Sequence, residues 1–282
     1  MRILFALLAW SLWATAPVVS EELDLELVLL ADATGSIDDA EIRFQRQGYA
    51  EAITDPSVLD AIASNAYGKI AVTYVEWADM FSQDVVVDWM VIDGPASAQD
   101  FATRLMEPPR RAYGRNAIGA ALLKGKELID TNVYKGLRRV IDLSADSANN
   151  WNGPTIAEAR EAVVSSGIVI NGLAVLCRHC SGRPVAYDLE DRFFRNIIGG
   201  PAAFVVTADS PETFADAVRK KLILEIAARP DDADTILHQT ARLDTGLSQV
   251  PPRPVPPGSE LKTSLAEFHD CHTGVSSAYD LR

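Results

Sequence analysis

Three oxygen-bearing side chains open the chemistry of this chain: Asp32, Thr34 and Ser36 stand at alternate positions of Asp32-Ala33-Thr34-Gly35-Ser36. A turn that gathers one carboxylate and two hydroxyls around a point offers only hard oxygen donors, which divalent cations such as Mg²⁺ prefer. Gly35 permits the tight backbone such a turn needs. Ser36-Ile37-Asp38-Asp39 then supplies a helix cap with acids in the first turn. The plainer reading of the same five residues is an ordinary turn, because Asp, Thr, Gly and Ser are common turn formers.

Other chemistries find less support. Cys177-Arg178-His179-Cys180 is a close thiol pair, with His269, Cys271 and His272 far downstream. A disulfide, Cys177–Cys180 or one of these to Cys271, is favoured over a mixed Cys/His zinc site, whose regular spacing is missing. The odd cysteine count leaves one thiol over, or one intermolecular bond. A redox pair would need a thioredoxin-like βαβ setting, which does not surround this motif. Ser36 and Ser144 share no loop with a histidine, and there is no G-x-S-x-G, P-loop or G-x-G-x-x-G fingerprint. What is left among enzymes is a metal-dependent hydrolase acting through a cation at the Asp32 turn, and a non-enzymatic role is preferred to it.

The elements that must position these residues alternate in type. Leu23 to Leu30 is a short apolar run ending at the Asp32 turn, apolar enough for a buried strand and too short for a membrane span. Ile42, Phe44, Tyr49, Ala50 and Ile53 recur at helical spacing over Asp38–Ile53, and a short helix is predicted over Val58–Ala63. Lys69–Trp77 and Asp84–Ile92 read as two strands of an antiparallel hairpin. Helices are expected over Ser97–Met106, capped by Ser97, and over Ala117–Ile129, capped by Asn116. Leu137–Ser144 reads as a strand; the polar loop Ala145–Pro154, with Asp146, leaves its C-terminal end. Thr155–Ser166 is a predicted helix stopped by Gly167. Strands over Ile168–Leu176 and Ala203–Thr207, a helical stretch over Asp191–Ile198 and a last helix from Ser210 to Ala228 complete the pattern. The alternation predicts an α/β fold with a doubly wound, mostly parallel, Rossmann-like sheet and one antiparallel edge strand. Ligands of such sheets gather at the C-terminal strand ends, where the Asp32 turn and Asp146 both lie.

With 48% hydrophobic and 23% charged residues, the 282-residue chain can bury a sizeable core. Its formal net charge of −13 argues against nucleic acid or an anionic membrane as partner and suits a cation or a basic surface. Residues 1–20, MRILFALLAWSLWATAPVVS, carry one basic residue, an apolar run and then small residues, and are expected to be a secretory signal. Once they are removed no stretch is long and apolar enough to span a bilayer. The expected product is exported, to the periplasm or outside the cell. Residues 21–229 are expected to form one domain. Pro230-Asp231-Asp232 and the run Val250–Gly258 mark residues 230–282 as a Pro-rich, flexible tail.

Asp32-Ala33-Thr34-Gly35-Ser36 resembles the first loop, D-x-S-x-S, of the metal-ion-dependent adhesion site in von Willebrand factor type A domains, with Thr34 in place of a serine. Four stretches are similar, in this order, to a bacterial subgroup of exported von Willebrand factor A-like proteins of unknown function: LVLLADATGSIDDAEIRFQRQGYAEAITDPSVLDAI, RRVIDLSADSANN, GIVINGLAVL and NIIGGPAAFVVTADSPETFADAVRKKLILEIA. The resemblance implies a second loop at Gly114–Gly119, where the family has a threonine and this chain has Asn116. It also implies a third loop in which Asp146 reaches the metal through water. Asn116 still offers an amide oxygen, but it cannot donate an O–H bond to Asp32, and Arg115 sets a positive charge beside the metal. Asp142, inside its strand, is expected to be structural or to stand just behind the metal's ligands, and Asn149 and Asn150 to be turn residues. The implied function is protein binding. Mg²⁺, or Mn²⁺, held by Asp32, Thr34, Ser36, Asn116 and Asp146 keeps one position open for an acidic side chain of a partner. A metal-dependent hydrolase at the same site and a scaffold with a decayed metal site are the alternatives.

Overall fold

The apolar run before Asp32 becomes the central strand β1 (Glu21–Asp32), in which every residue after the first two is buried. A strand covered on both faces needs apolar residues at successive positions rather than alternate ones, and Leu27-Val28-Leu29-Leu30 supplies them. β1 pairs in parallel with β2 (Ile70–Trp77) on one side and with β4 (Tyr134–Ala145) on the other. β5 (Val169–Val175) and β6 (Val205–Ala208) extend the parallel sheet beyond β4. β3 (Gln83–Ile92) pairs antiparallel with β2 at the opposite edge, giving the order β3-β2-β1-β4-β5-β6. The chain thus winds outward in two directions from β1, and the crevice between the C-terminal ends of β1 and β4 is the switch point where open α/β sheets bind ligands. This is the expected sheet, edge strand included. The structure is a computed structural model and describes residues 20–107, 109–176 and 188–227. The expectations for the signal segment, for Cys177, Cys180 and Cys271 and for the tail fall outside these residues.

Two apolar cores flank the sheet. On one face Leu25, Leu27 and Leu29 pack with Tyr49 of α1 (Asp39–Thr54), Val58 of α2 (Pro56–Ala63), Phe101 of α3 (Pro95–Met106) and Phe214 of α7 (Pro211–Ala227). On the other, Val28 and Leu30 meet Leu122 of α4 (Ile118–Thr131), Val163 of α5 (Ile156–Ser165), and Leu189 and Phe193, where α6 (Leu189–Arg192) runs on into one π-helical turn, Phe193–Ile197. Each fully buried Leu or Phe contributes roughly 1.5–3 kcal/mol. Among the described residues no helix is long and apolar enough to cross a membrane.

Local signals explain most helix ends. Asp38 and Glu41 form a reciprocal capping box at α1, and Thr155 and Glu158 form another at α5. Gly167, at φ +76°, ends α5. Two expected caps are corrected. α3 starts at Pro95, and Ser97 sits inside it, its hydroxyl accepting from the Asp93 and Gly94 amides at 3.0 and 3.2 Å. α4 starts at Ile118 after Ala117, which has no side-chain cap bond, and Asn116 is turned elsewhere. Asn150 takes that duty: its Oδ1 accepts from Gly119 N at 3.0 Å, and its Nδ2 donates to Pro154 O at 3.0 Å.

Candidate metal centre

β1 delivers Asp32 to the crevice with its side chain almost fully buried, at 2% exposure. The chain then turns: Thr34 N donates to Asp32 Oδ1 at 2.8 Å, and Ile37 N to Thr34 O at 2.9 Å. This brings the Thr34 and Ser36 hydroxyls within 3.1 Å of each other. Thr34 lies on the floor with Asp32, while Ser36 is exposed at the rim.

The turn is held from outside by a residue that no local pattern marks. The Arg110 guanidinium donates to the carbonyls of Ile37 at 2.7 Å, of Thr34 at 3.0 Å and of Ala33, while its Nε donates to Ala112 O at 2.9 Å. Its planar fork of donors suits such a multidentate clamp. A buried ion pair braces the same region: Arg46 Nε donates to Glu76 Oε1 at 2.9 Å, and Glu76 Oε2 accepts from Arg111 N at 2.9 Å. Gln45 Nε2 adds a bond to Asp32 O at 3.2 Å.

The second loop meets the first backbone to backbone, through Gly35 N to Gly114 O at 2.8 Å. Gly114, at φ +129°, is in a backbone conformation that disfavours side chains, and a Cβ there would stand 2.5 Å from Asp79 Cβ. Asn116 donates through Nδ2 to Ser147 Oγ at 2.7 Å, which joins the second loop to the third. With the nitrogen so committed, the amide oxygen is the atom on offer to a cation. Close packing fixes the join further: a Cβ on Gly119 would stand 2.1 Å from Pro154 O. Arg115 lies over the Trp151 ring, its guanidinium carbon 5.8 Å from the centroid.

The third loop returns Asp146 to Asp32. Asp146 N donates to Asp32 Oδ2 at 3.5 Å, and the Asp146 charge acts on the Asp32 carboxyl. Burial first, and that charge second, raise the Asp32 carboxyl from 3.8 to about 7, against the hydrogen bonds from Thr34 and the Asp146 amide. The first and third loops thus meet at Asp32, and Asn116 joins the third through Ser147. Asp32 and Thr34 are buried, Asn116 and Asp146 half-buried and Ser36 exposed. All these donors are oxygens, a set that suits Mg²⁺ or Mn²⁺ better than zinc. Among the described residues no three His, Cys, Asp or Glu side chains gather to hold a metal. A cation here would therefore lean on hydroxyl and amide oxygens as well as the two aspartates.

Aromatic side chains stand out around this end of the sheet: Phe81, Tyr113 and Trp151 are 87%, 59% and 65% exposed. Tyr113 N donates to Ser82 Oγ at 3.0 Å, and Asn152 Nδ2 to Asp79 Oδ2 at 2.6 Å. The β2–β3 turn therefore adjoins both the second loop and the Trp151 loop. Sequence reasoning missed these aromatic residues, Arg110 and the Arg46–Glu76 pair. The dipeptide Arg110-Arg111 was visible, but nothing in its spacing pointed to carbonyls more than seventy residues earlier.

Residues 22–230 match the model of a family described as "Protein of unknown function (DUF1194)". No curated protein matches the chain. Among solved structures, proximal thread matrix protein 1 from the mussel byssus is similar at a TM-score of 0.52 and 15% identity, over 74% of this chain and 48% of that one. The chain therefore spans about half the length of the mussel protein. A further structure of that protein, "with zinc occupied MIDAS motif", aligns at a TM-score of 0.52 and 14% identity, over 74% and 49% of the two chains. The SpRpn10 VWA domain aligns at 0.48 and 12% identity, over 73% and 98%. The fold is von Willebrand factor A-like.

Proposed function

The chain belongs to the DUF1194 family, whose function is unknown, and from that premise we propose that it is an exported protein-binding module whose domain, residues 21–229, uses a divalent cation to take an acidic side chain of a partner. Residues 1–20 serve as the export signal and 230–282 as a Pro-rich tail. Asp32, Thr34, Ser36, Asn116 and Asp146 hold the cation, Mg²⁺ or Mn²⁺, which supplies positive charge between two aspartates and an attachment point for a carboxylate.

One observation carries the reading: the third loop brings Asp146 against the buried Asp32, its amide donating to Asp32 Oδ2 at 3.5 Å, and after burial itself the Asp146 charge pushes the Asp32 carboxyl up. Leaving like charges together in a partly dry crevice is costly, and a cation offsets that cost. It also reverses the sign of the surface a carboxylate would meet. The mussel protein, whose MIDAS motif is occupied by zinc, supports a divalent cation in this fold. The exposed Phe81, Tyr113 and Trp151 support a protein partner, because aromatic residues are enriched where proteins meet.

Titration calorimetry of the full chain tests the site. Mg²⁺ or Mn²⁺ is expected to bind wild type and to give no heat with Asp32→Ala; a silent wild type refutes the reading. An array of Asp- and Glu-containing peptides tests the partner chemistry, with retention expected in Mg²⁺ and lost in chelator.

A further inference from the structure

A second group of polar side chains lies inside the core, on the sheet face covered by α7. Asp142 of β4, Asn171 of β5, and Lys221 and Glu225 of α7 are all at most 3% exposed. Lys221 Nζ donates to Glu225 Oε1, one helical turn further on. The same nitrogen is 2.7 Å from Asp142 Oδ1, an oxygen that accepts no well-formed hydrogen bond. The glutamate is fixed in its turn: Asn171 Nδ2 donates to Glu225 Oε1 at 3.1 Å, and Phe204 N donates to Asn171 Oδ1 at 3.1 Å. The Phe204 ring covers the amine, with Nζ 5.5 Å from its centroid.

Amide formation needs an amine against a carboxyl carbon, a group to carry the proton and the exclusion of water. These residues offer all three. We propose that Lys221 and Asp142 condense into an isopeptide bond inside the folded chain, with Glu225 as the proton acceptor, so that β4 and α7 become covalently joined. Burial supplies the neutral acid the step begins from: it pushes the Asp142 carboxyl up to about 7, against the pull of the Lys221 ammonium and with the push of Glu225.

The step balances without an added reagent. Glu225 takes a proton from the Lys221 ammonium, and the free amine attacks Cγ of the neutral Asp142 carboxyl. The Nζ–Cγ bond forms and one Cγ–O bond breaks. The hydroxyl leaves as water with a second proton from Nζ. An ammonium, a carboxylic acid and a carboxylate become an amide, a glutamic acid and water. Fixed contact between the reacting groups replaces a bimolecular encounter, and the product removes an ion pair whose burial is costly.

Intact mass spectrometry of the purified full chain, with its N-terminus determined, tests the proposal. Wild type is expected to be lighter than its sequence by one water, with a proteolytic fragment linking the peptides that contain Asp142 and Lys221. Lys221→Arg and Glu225→Gln are expected to show the full mass. A wild type of full mass with both peptides unlinked overturns the bond, as does a missing water mapped to another site. Linkage persisting in Glu225→Gln overturns the role given to the glutamate. The wild-type measurement stands even if a variant fails to fold.

Discussion

β4 and the loop that follows it carry one aspartate into each of two polar regions, and the regions resolve the same problem differently. Asp142, under α7, and Asp32, beside Asp146 at the open end of the sheet, are both raised by burial to about 7. Asp142 is opposed by an ammonium of its own chain, at 2.7 Å in Lys221. The charge that acts on Asp32 is another acid's. The core region holds its carboxylates with an ammonium the chain supplies, whereas the rim, on the proposed reading, is completed by a cation from outside. Nearby, Arg110 holds carbonyls of the first loop, and Arg115 lies over Trp151. A binding site differs from a structural polar cluster in this respect, because it stays incomplete until its ligand arrives.

The largest test of that contrast removes the internal cation. Lys221→Met leaves Asp142 and Glu225 buried without Lys221: loss of one partner from a buried ion pair costs about 3–5 kcal/mol, and where the proposed bond has formed the variant also loses that crosslink. Urea unfolding should show this loss. Asp32→Asn in divalent-free buffer should be neutral or stabilising, since it removes one of two like charges. Equal losses in the two variants would erase the distinction between a closed and an open region.

The pH dependence comes next in size, and its sign follows from linkage. A carboxyl whose folded-state value is raised binds its proton more tightly in the native state, so its contribution is fully present below 3.8 and is lost as pH rises to about 7. The cation-free protein should therefore be less stable at pH 8 than at pH 5. Asp32→Asn, or saturating Mg²⁺, should flatten that part of the profile, as measured by thermal unfolding across pH. Asp142 contributes a slope of the same sign only while it remains a free carboxyl. Once joined to Lys221 it no longer titrates, and the slope that remains belongs to Asp32.

These two regions were unequally legible in the sequence. The Asp32 turn could be read because its parts are consecutive: an apolar run, a carboxylate, hydroxyls at alternate positions and a glycine. Most elements could be read as well, since hydrophobic periodicity and caps such as Asp38 and Thr155 are local signals. Asn116 was misread as a helix cap because capping is the local use of asparagine, and its hydrogen bond to Ser147, 31 residues away, depends on a loop that only the fold brings near. Lys221 was invisible for a related reason. Helical spacing can place a lysine on the inner face of α7, but it cannot say that Asp142 of β4 waits opposite.

The smallest expected effect probes the residue where this chain departs from the adhesion-site pattern. Asn116→Thr exchanges an amide for a hydroxyl that can both coordinate a cation and donate to Asp32, and it gives up the 2.7 Å bond to Ser147. A net hydrogen bond is worth about 0.5–1.5 kcal/mol, so gain and loss are of similar size. The bond to Ser147 ties the second loop to the third, so removing it lowers stability. The gained bond acts on a carboxylate that must be ionised to coordinate, so it favours the cation-bound state. Calorimetry should therefore show Mg²⁺ binding a few-fold tighter in Asn116→Thr, with slightly lower stability in cation-free buffer. Ser147→Ala, which removes only the tie between the loops, should lower stability without tightening binding. If Asn116→Thr weakens Mg²⁺ binding while Ser147→Ala weakens it equally, the asparagine serves the rim by fixing the loops rather than by offering its oxygen.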